Sequence, residues 1–247
     1  MIKTAKLNNL LTDPVGQSFA YITLDIDWAP DFVLESVIEM VAKANVYATW
    51  FITHNTPLLE TLAQNPKFEL GIHPNFNFLL TGQRDPLGLT DYKQVIDHYM
   101  HLVPNAVSMR SHSLVQGPAI FAHALEKGIQ IDSSLFVPAS SNSASLTLLQ
   151  DYSGLKRAPY FWGDYAAFSD PKAVSASKLL QRDGLKIFNF HPIHLYLNSD
   201  SIERYSASKS AARNANAYAP LVNDGFGTKQ RFEQLVDALE ENRNHAN

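Results

Sequence analysis

Asp25 and Asp27 stand two residues apart in Leu24-Asp25-Ile26-Asp27-Trp28, at the end of an apolar run. Residues two apart in a strand point to the same side, so this spacing presents two carboxylates to one space. Like charges that close repel, and the pair is stable when a cation binds one member while the other acts as a base or accepts from an arginine. The plain structural alternative makes one of them a helix cap ahead of Pro30. Two histidines share a second device, because His73 precedes Pro74 and His191 precedes Pro192. Proline removes a ladder donor and forces the residue before it into an extended conformation, which holds each imidazole at a strand end. That position suits a metal ligand or an acid-base group. Arg110, His112, Asp132, His54 and His194 stand at or just past the ends of other strand-like runs. The chain has no cysteine, so a metal would sit on His, Asp, Glu, Asn or water.

These residues need elements that end side by side. Short apolar runs alternate with amphipathic ones from Ala20 onward, the rhythm of βα units building a mostly parallel sheet. Seven strands are expected, at residues 19–27, 47–53, 68–73, 106–111, 129–133, 156–162 and 186–191. A helix is expected from Ala29-Pro30-Asp31 to Asn45, with Leu34, Ile38, Val41 and Ala42 on its inner face. Others are expected over residues 90–101, with Tyr92, Val95, Ile96 and Tyr99 inward, over residues 118–127, and from near Thr228, burying Phe232, Leu235, Val236 and Leu239.

At 247 residues and 45% hydrophobic content, the expectation is a single α/β domain, an irregular seven-stranded (β/α) barrel. In such a barrel the C-terminal strand ends converge on one face and assemble the site there. Two polar segments interrupt the rhythm, residues 139–145 and 198–227. The second is too long for a plain connection and reads as a lid or binding loop whose Arg204, Tyr205, Arg213 and Tyr218 could reach a substrate, or equally as a solvated loop.

A net charge of -4 without any Lys or Arg run offers nucleic acid and anionic membranes nothing to grip. The first 16 residues lack a continuous apolar stretch, so no membrane span or signal peptide is expected and the expected location is cytoplasmic. His98, His101, His123 and His245 read as surface histidines.

The ordered set of motifs resembles the NodB-type polysaccharide deacetylases of carbohydrate esterase family 4, and within them the WbmS-type subgroup of O-antigen loci. Thr23-Leu24-Asp25-Ile26-Asp27 is similar to the family's opening T-x-D-x-D strand end, and Ala48-Thr49-Trp50-Phe51 to its A-T-F-F strand. Gly71-Ile72-His73 resembles the Gly-x-His block, Gly128 through Asp132-Ser133-Ser134 the G-x-x-x-D-S-S block, and Phe190-His191 the final histidine block. Arg110 alone matches the Arg-x-Pro-aromatic block. The family places a second histidine four residues after the first, where this chain has Asn77. Asn77 through its amide oxygen, or His112 standing where the family usually has proline, is the candidate third ligand.

The resemblance implies a NodB homology fold and a metal-dependent hydrolase that removes an acetyl group from an N-acetylated sugar or glycan in surface polysaccharide (O-antigen or lipopolysaccharide) biosynthesis. It makes Asp27 and His73 metal ligands, Asp25 the general base, Arg110 its orienter and His191 the general acid. Asp132 would hold His191 in its donor tautomer. The implied cofactor is a divalent ion, zinc first, and His54, His194 and Trp28 are substrate-side candidates. Hydrolysis of another non-peptide C–N bond stays open, as does a carbohydrate-binding relic, motivated by Asn77. Retention of Asp25 and His191 argues against the relic.

Overall fold

Along Ala20-Tyr21-Ile22-Thr23-Leu24-Asp25 the side chains alternate between two faces. Ala20, Ile22 and Leu24 pack in the larger core, beneath the helices, while Tyr21 enters a second, smaller core. Thr23 and Asp25 share the face of Tyr21, so the strand carries its chemistry toward the smaller core.

The computed structural model describes residues 2–139, 145–169 and 174–244. Ten strands form one sheet: β1 (Lys3–Thr4), β2 (Phe19–Asp25), β3 (Ala48–Ile52), β4 (Phe68–Ile72), β5 (Ser108–Met109), β6 (Ile131–Asp132), β7 (Leu149–Gln150), β8 (Lys156–Arg157), β9 (Trp162–Gly163) and β10 (Lys186–Phe190). The order is β7-β8-β6-β5-β4-β3-β2-β10-β9 with β1 beside β2. Every pairing is parallel except β7 with β8.

Three strand spacings separate β2 from β5, roughly 14 Å on a flat sheet. Arg110, one residue past β5, nevertheless bonds Thr23 and Asp25 on β2. The sheet is therefore curled into a half-barrel. The run predicted as one strand over residues 156–162 explains how the gap is spanned: β8 at its start pairs with β6, and β9 at its end pairs with β10 on the other side. Between them Tyr160 bridges to Phe136 instead. All seven predicted strands contain a strand, mostly shorter than expected. The two-residue β1 and β7 carried no alternation to find them by.

Four predicted helices form, over Asp31–Lys43, Tyr92–Leu102, Pro118–Glu126 and Thr228–Asn244. Ala42, expected inward, is exposed. His123, read as a surface residue, is buried and bonded to Asp97 and Glu126. The segment 198–227 is not a loop but folds into helices Ile202–Ser210 and Ala215–Tyr218 and a 3-10 turn at Ala219–Leu221, with Ser201 and Asn214 as caps. Residues 140–144 of the other polar segment lie outside the described residues, as does His245. Among the described residues no helix is long and apolar enough to cross a membrane.

At the opposite end from the polar strand ends, a 3-10 helix, Leu7–Leu11, plugs the half-barrel with Leu7 and Leu10. Its Leu7 N–H donates to Thr49 Oγ1 and its Asn8 N–H to the buried Glu69, which also accepts from Thr49 and Ser108. Burial raises the Glu69 pKa despite these donors. Gly71 faces the same interior, where a Cβ would lie 2.7 Å from Ser108 Oγ and 2.8 Å from the Phe51 ring. A side chain there would push the interior apart.

Candidate active site

Asp27, His73 and His112 form one cluster at the strand C-terminal ends. His73 Nε2 lies 3.3 Å and His112 Nδ1 3.1 Å from Asp27 Oδ1, and the two ring nitrogens lie 3.3 Å apart. Ligand atoms around a tetrahedral ion with bonds of about 2.0–2.1 Å sit roughly 3.3–3.4 Å from one another. The three donors therefore fit a divalent cation with little adjustment. Burial would raise the Asp27 pKa, but hydrogen bonding to His112 and His73 and the charge of His191 outweigh it and hold the carboxyl well below the usual range.

The backbone that delivers these candidate ligands is strained. The strand ends at Asp25, and Asp27 and Trp28 both adopt left-handed conformations, with φ of 40° and 54°. Strand alternation therefore does not bring the two aspartates together, as the spacing had suggested; the turn after β2 does. Ser113 and Leu114, just after His112, are left-handed as well, with φ of 56° and 58°. Non-glycine residues in this region cost on the order of 1–3 kcal/mol each and cluster where function over-determines the backbone.

Asp25 is held differently. Its Oδ1 accepts from Arg110 Nη1 at 3.0 Å and its Oδ2 from Asn189 Nδ2 at 2.8 Å. Arg110 is fully buried, its guanidinium lying between the Phe51 and Tyr160 rings, and it also donates to Thr23, Asn189 and Ser133. Burial would raise the Asp25 pKa, but Arg110 first, then His73 and His191, bring it below the ordinary value. The carboxylate is thus fixed, ionised and still equipped with free lone pairs.

His191 completes the floor. Its Nε2 lies 3.8 Å from both Asp25 Oδ2 and Asp27 Oδ2. Its Nδ1 is 2.7 Å from Asp164 Oδ1, and its backbone N–H donates to Asp164 Oδ2 at 2.7 Å. Burial would lower the His191 pKa, but the Asp164 charge and hydrogen bond, followed by Asp27 and Asp25, raise it to about 10. Beyond it His194 is buried against Phe168 and Tyr205 with Nδ1 3.1 Å from Ser199 Oγ, and burial lowers its pKa to about 4. His194 is thus a neutral packing partner of His191.

Asp132, expected to orient His191, does not reach it. Its oxygens accept from Ser134 and from Arg157 Nε, and Ser134 Oγ in turn accepts the Ser111 N–H. With Ser133 holding Arg110, the Asp-Ser-Ser run positions the chain that delivers Arg110 and His112. Asp164 takes the role assigned to Asp132. It escaped the sequence reading although it follows β9 by one residue, the same strand-end signal as the others. Asn189 also went unnoticed, although it lies two residues before His191 on the same face.

Asn77 lies outside the cluster and donates to Ser113 Oγ. His54 is bonded to Thr53 Oγ1, and burial lowers its pKa. Trp28 packs edge-on to His112 and lines an adjacent cleft of about 440 Å³. Tyr205, Arg213 and Tyr218 also line it, while Arg204 is paired with Asp200. The placement yields a test of the third ligand. His112→Ala should weaken zinc binding, followed by calorimetric titration, by more than the roughly 10- to 100-fold that loss of an outer partner costs. Asn77→Ala should change it little, and the opposite ranking would return Asn77 to the ligand set.

No curated protein sequence matches this chain. A family model described as WbmS-like polysaccharide deacetylase matches residues 22–209, a span that holds every residue of the site. Among solved structures, a Bordetella bronchiseptica protein put forward as a polysaccharide deacetylase involved in O-antigen biosynthesis (WbmS) is 35% identical, with a TM-score of 0.82 over 96% of this chain and 97% of that one. A Mycobacterium smegmatis protein put forward as a polysaccharide deacetylase is 16% identical over 93% of each chain with a TM-score of 0.50, a likeness of fold alone. On the family match and the identity to the Bordetella protein, the chain belongs to the WbmS-like polysaccharide deacetylases.

Proposed function

We propose that this chain is a metal-dependent hydrolase that removes the acetyl group from an N-acetylated sugar during surface polysaccharide assembly. One observation carries the reading: three converging donors, Asp27, His73 and His112, lie beside a carboxylate, Asp25, held by Arg110 and Asn189, and an imidazole, His191, held by Asp164. Asp27, His73 and His112 would hold a divalent ion, which would supply Lewis acidity toward an acetyl carbonyl and lower the pKa of water. Two imidazoles and one carboxylate are a donor set that would suit zinc.

Asp25 accepts the proton of the attacking water. Arg110 and Asn189 keep it fixed and ionised, and so act as positioning residues. His191 donates through Nε2 to the departing amine, which is too basic to leave unprotonated. Asp164 on Nδ1 supplies the charge that keeps His191 protonated at neutral pH. A relic that only bound carbohydrate would need neither the buried pair of carboxylates nor a charged histidine between them.

Zinc-loaded protein should release acetate from N-acetylated sugars, lose that activity to a chelator and regain it on zinc addition. The absence of acetate from every acetamido sugar tried, with zinc demonstrably bound, would overturn the reading.

A further inference from the structure

The cleft of about 440 Å³ beside the cluster has two walls, Asp27, Trp28 and His112 on the sheet side and Tyr205, Lys209 and Arg213 on the helical segment opposite. The chain as a whole is acidic, with a net charge of -4, yet this outer wall carries two cations. Neither is ion-paired among the described residues. Lys209 Nζ rests 4.1 Å above the centre of the Tyr205 ring, and the Arg213 guanidinium donates to the Trp28 carbonyl, one residue beyond Asp27. Arg204, on the same helix as Lys209, is by contrast neutralised by Asp200 at 2.7 Å. Asp27 is the one carboxylate lining the cleft among the described residues, and its charge is committed to His73 and His112. Asp31, which follows the lining residue Pro30, is not in the lining and accepts from Thr56.

A neutral glycan entering here would offer the two exposed cations hydroxyl and carbonyl acceptors but no compensating charge. An oxyanion would satisfy both through charge-assisted hydrogen bonds and would be drawn in by their field. Trp28 and Tyr205, both partly exposed in the lining, add aromatic surface beside the site. Building on the deacetylase reading, we propose that the substrate is an acidic acetamido sugar, with its acetamide at the Asp27–His73–His112 cluster and a phosphate or carboxylate against Lys209 and Arg213. The chemistry common to both sources is an oxyanion attached close to the acetylated ring.

The test measures acetate release by the zinc-loaded full chain from N-acetylglucosamine 1-phosphate, UDP-N-acetylglucosamine, an acetamido uronic acid and neutral diacetylchitobiose. At least one acidic substrate should exceed the neutral one in kcat/KM by about tenfold or more, the usual scale for a hydrogen bond to a charged group. Whether a phosphate or the uronate leads identifies the source. Lys209→Met and Arg213→Gln should each raise KM for the acidic substrate roughly tenfold and shrink its advantage over the neutral one. Arg213→Lys, which keeps the charge but not the guanidinium that donates to the Trp28 carbonyl, should restore most of it, and added salt should raise KM for the acidic substrate alone. Both side chains are exposed, so an unchanged thermal midpoint checks that the variants fold. If acidic and neutral sugars are cleaved equally and the variants do not discriminate between them, this inference fails and the deacetylase reading stands. If no substrate yields acetate, the deacetylase reading fails, and this inference with it.

Discussion

Asp25→Asn should keep the bound metal and lose turnover by about 10²- to 10⁴-fold, the size of a lost general base, whereas Asp27→Ala should lose metal and activity together. The two carboxylates differ in what surrounds them. Asp27 Oδ1 lies within 3.3 Å of both ligand nitrogens, His73 Nε2 and His112 Nδ1. Asp25 Oδ1 is 3.9 Å from the other nitrogen of His73, and its two oxygens accept from Arg110 and Asn189. A cation at the cluster is therefore held by Asp27, while Asp25 faces donors. An amide in place of the Asp25 carboxylate preserves its shape, but the new NH₂ must face one of those donors, so about 1–3 kcal/mol of stability should also be lost. Thermal midpoint, metal content and kcat measured on the same preparations separate the three effects. If Asp25→Asn strips the metal as completely as Asp27→Ala, both carboxylates are ligands and the base must be another group.

Much of this centre was legible because strand ends announce themselves. Asp25, His73, Arg110 and His191 each close an apolar run, and a parallel sheet brings such ends to one edge. That His112, and not Asn77, stands with Asp27 and His73 was not legible, because it depends on left-handed turns at Asp27–Trp28 and Ser113–Leu114 that no residue type there demands. The same holds for Asp132, where spacing alone cannot say which of two buried aspartates reaches His191. Position along β6 and β9 relative to β10 decides it: β9 pairs with β10, and β6 lies across the half-barrel. The helices over the cleft were missed for a different reason. Their Ser, Ala and Asn content gives little hydrophobic periodicity, so their formation rests on caps and on packing of Tyr205 and Tyr218 against the barrel top.

Asp164→Asn should leave the metal in place and move the alkaline limb of the kcat/KM profile downward by roughly one to three pH units, the usual effect of one adjacent opposite charge. His191 must be protonated to act as an acid, and its pKa of about 10 places its deprotonation far above neutrality. Burial works against that protonation, and Asp164 is the largest of the groups that offset it. Asp27 and Asp25 contribute less, and a cation at the cluster would offset part of their charge, so with metal bound the dependence on Asp164 grows. The amide oxygen introduced by this substitution can still accept from the His191 Nδ1–H, which keeps the tautomer while deleting the charge, but its NH₂ then faces the His191 backbone N–H that had donated to Oδ2, so about 1–3 kcal/mol of stability should be lost as well. His191 in the variant therefore releases its proton at lower pH, and activity is lost from the alkaline side. The acid limb belongs to Asp25, whose pKa is held low by Arg110 and not by Asp164, so it should stay where it is. If kcat instead drops equally at every pH with both limbs unmoved, Asp164 only positions His191, and the elevated histidine pKa on which the general-acid assignment depends has another source.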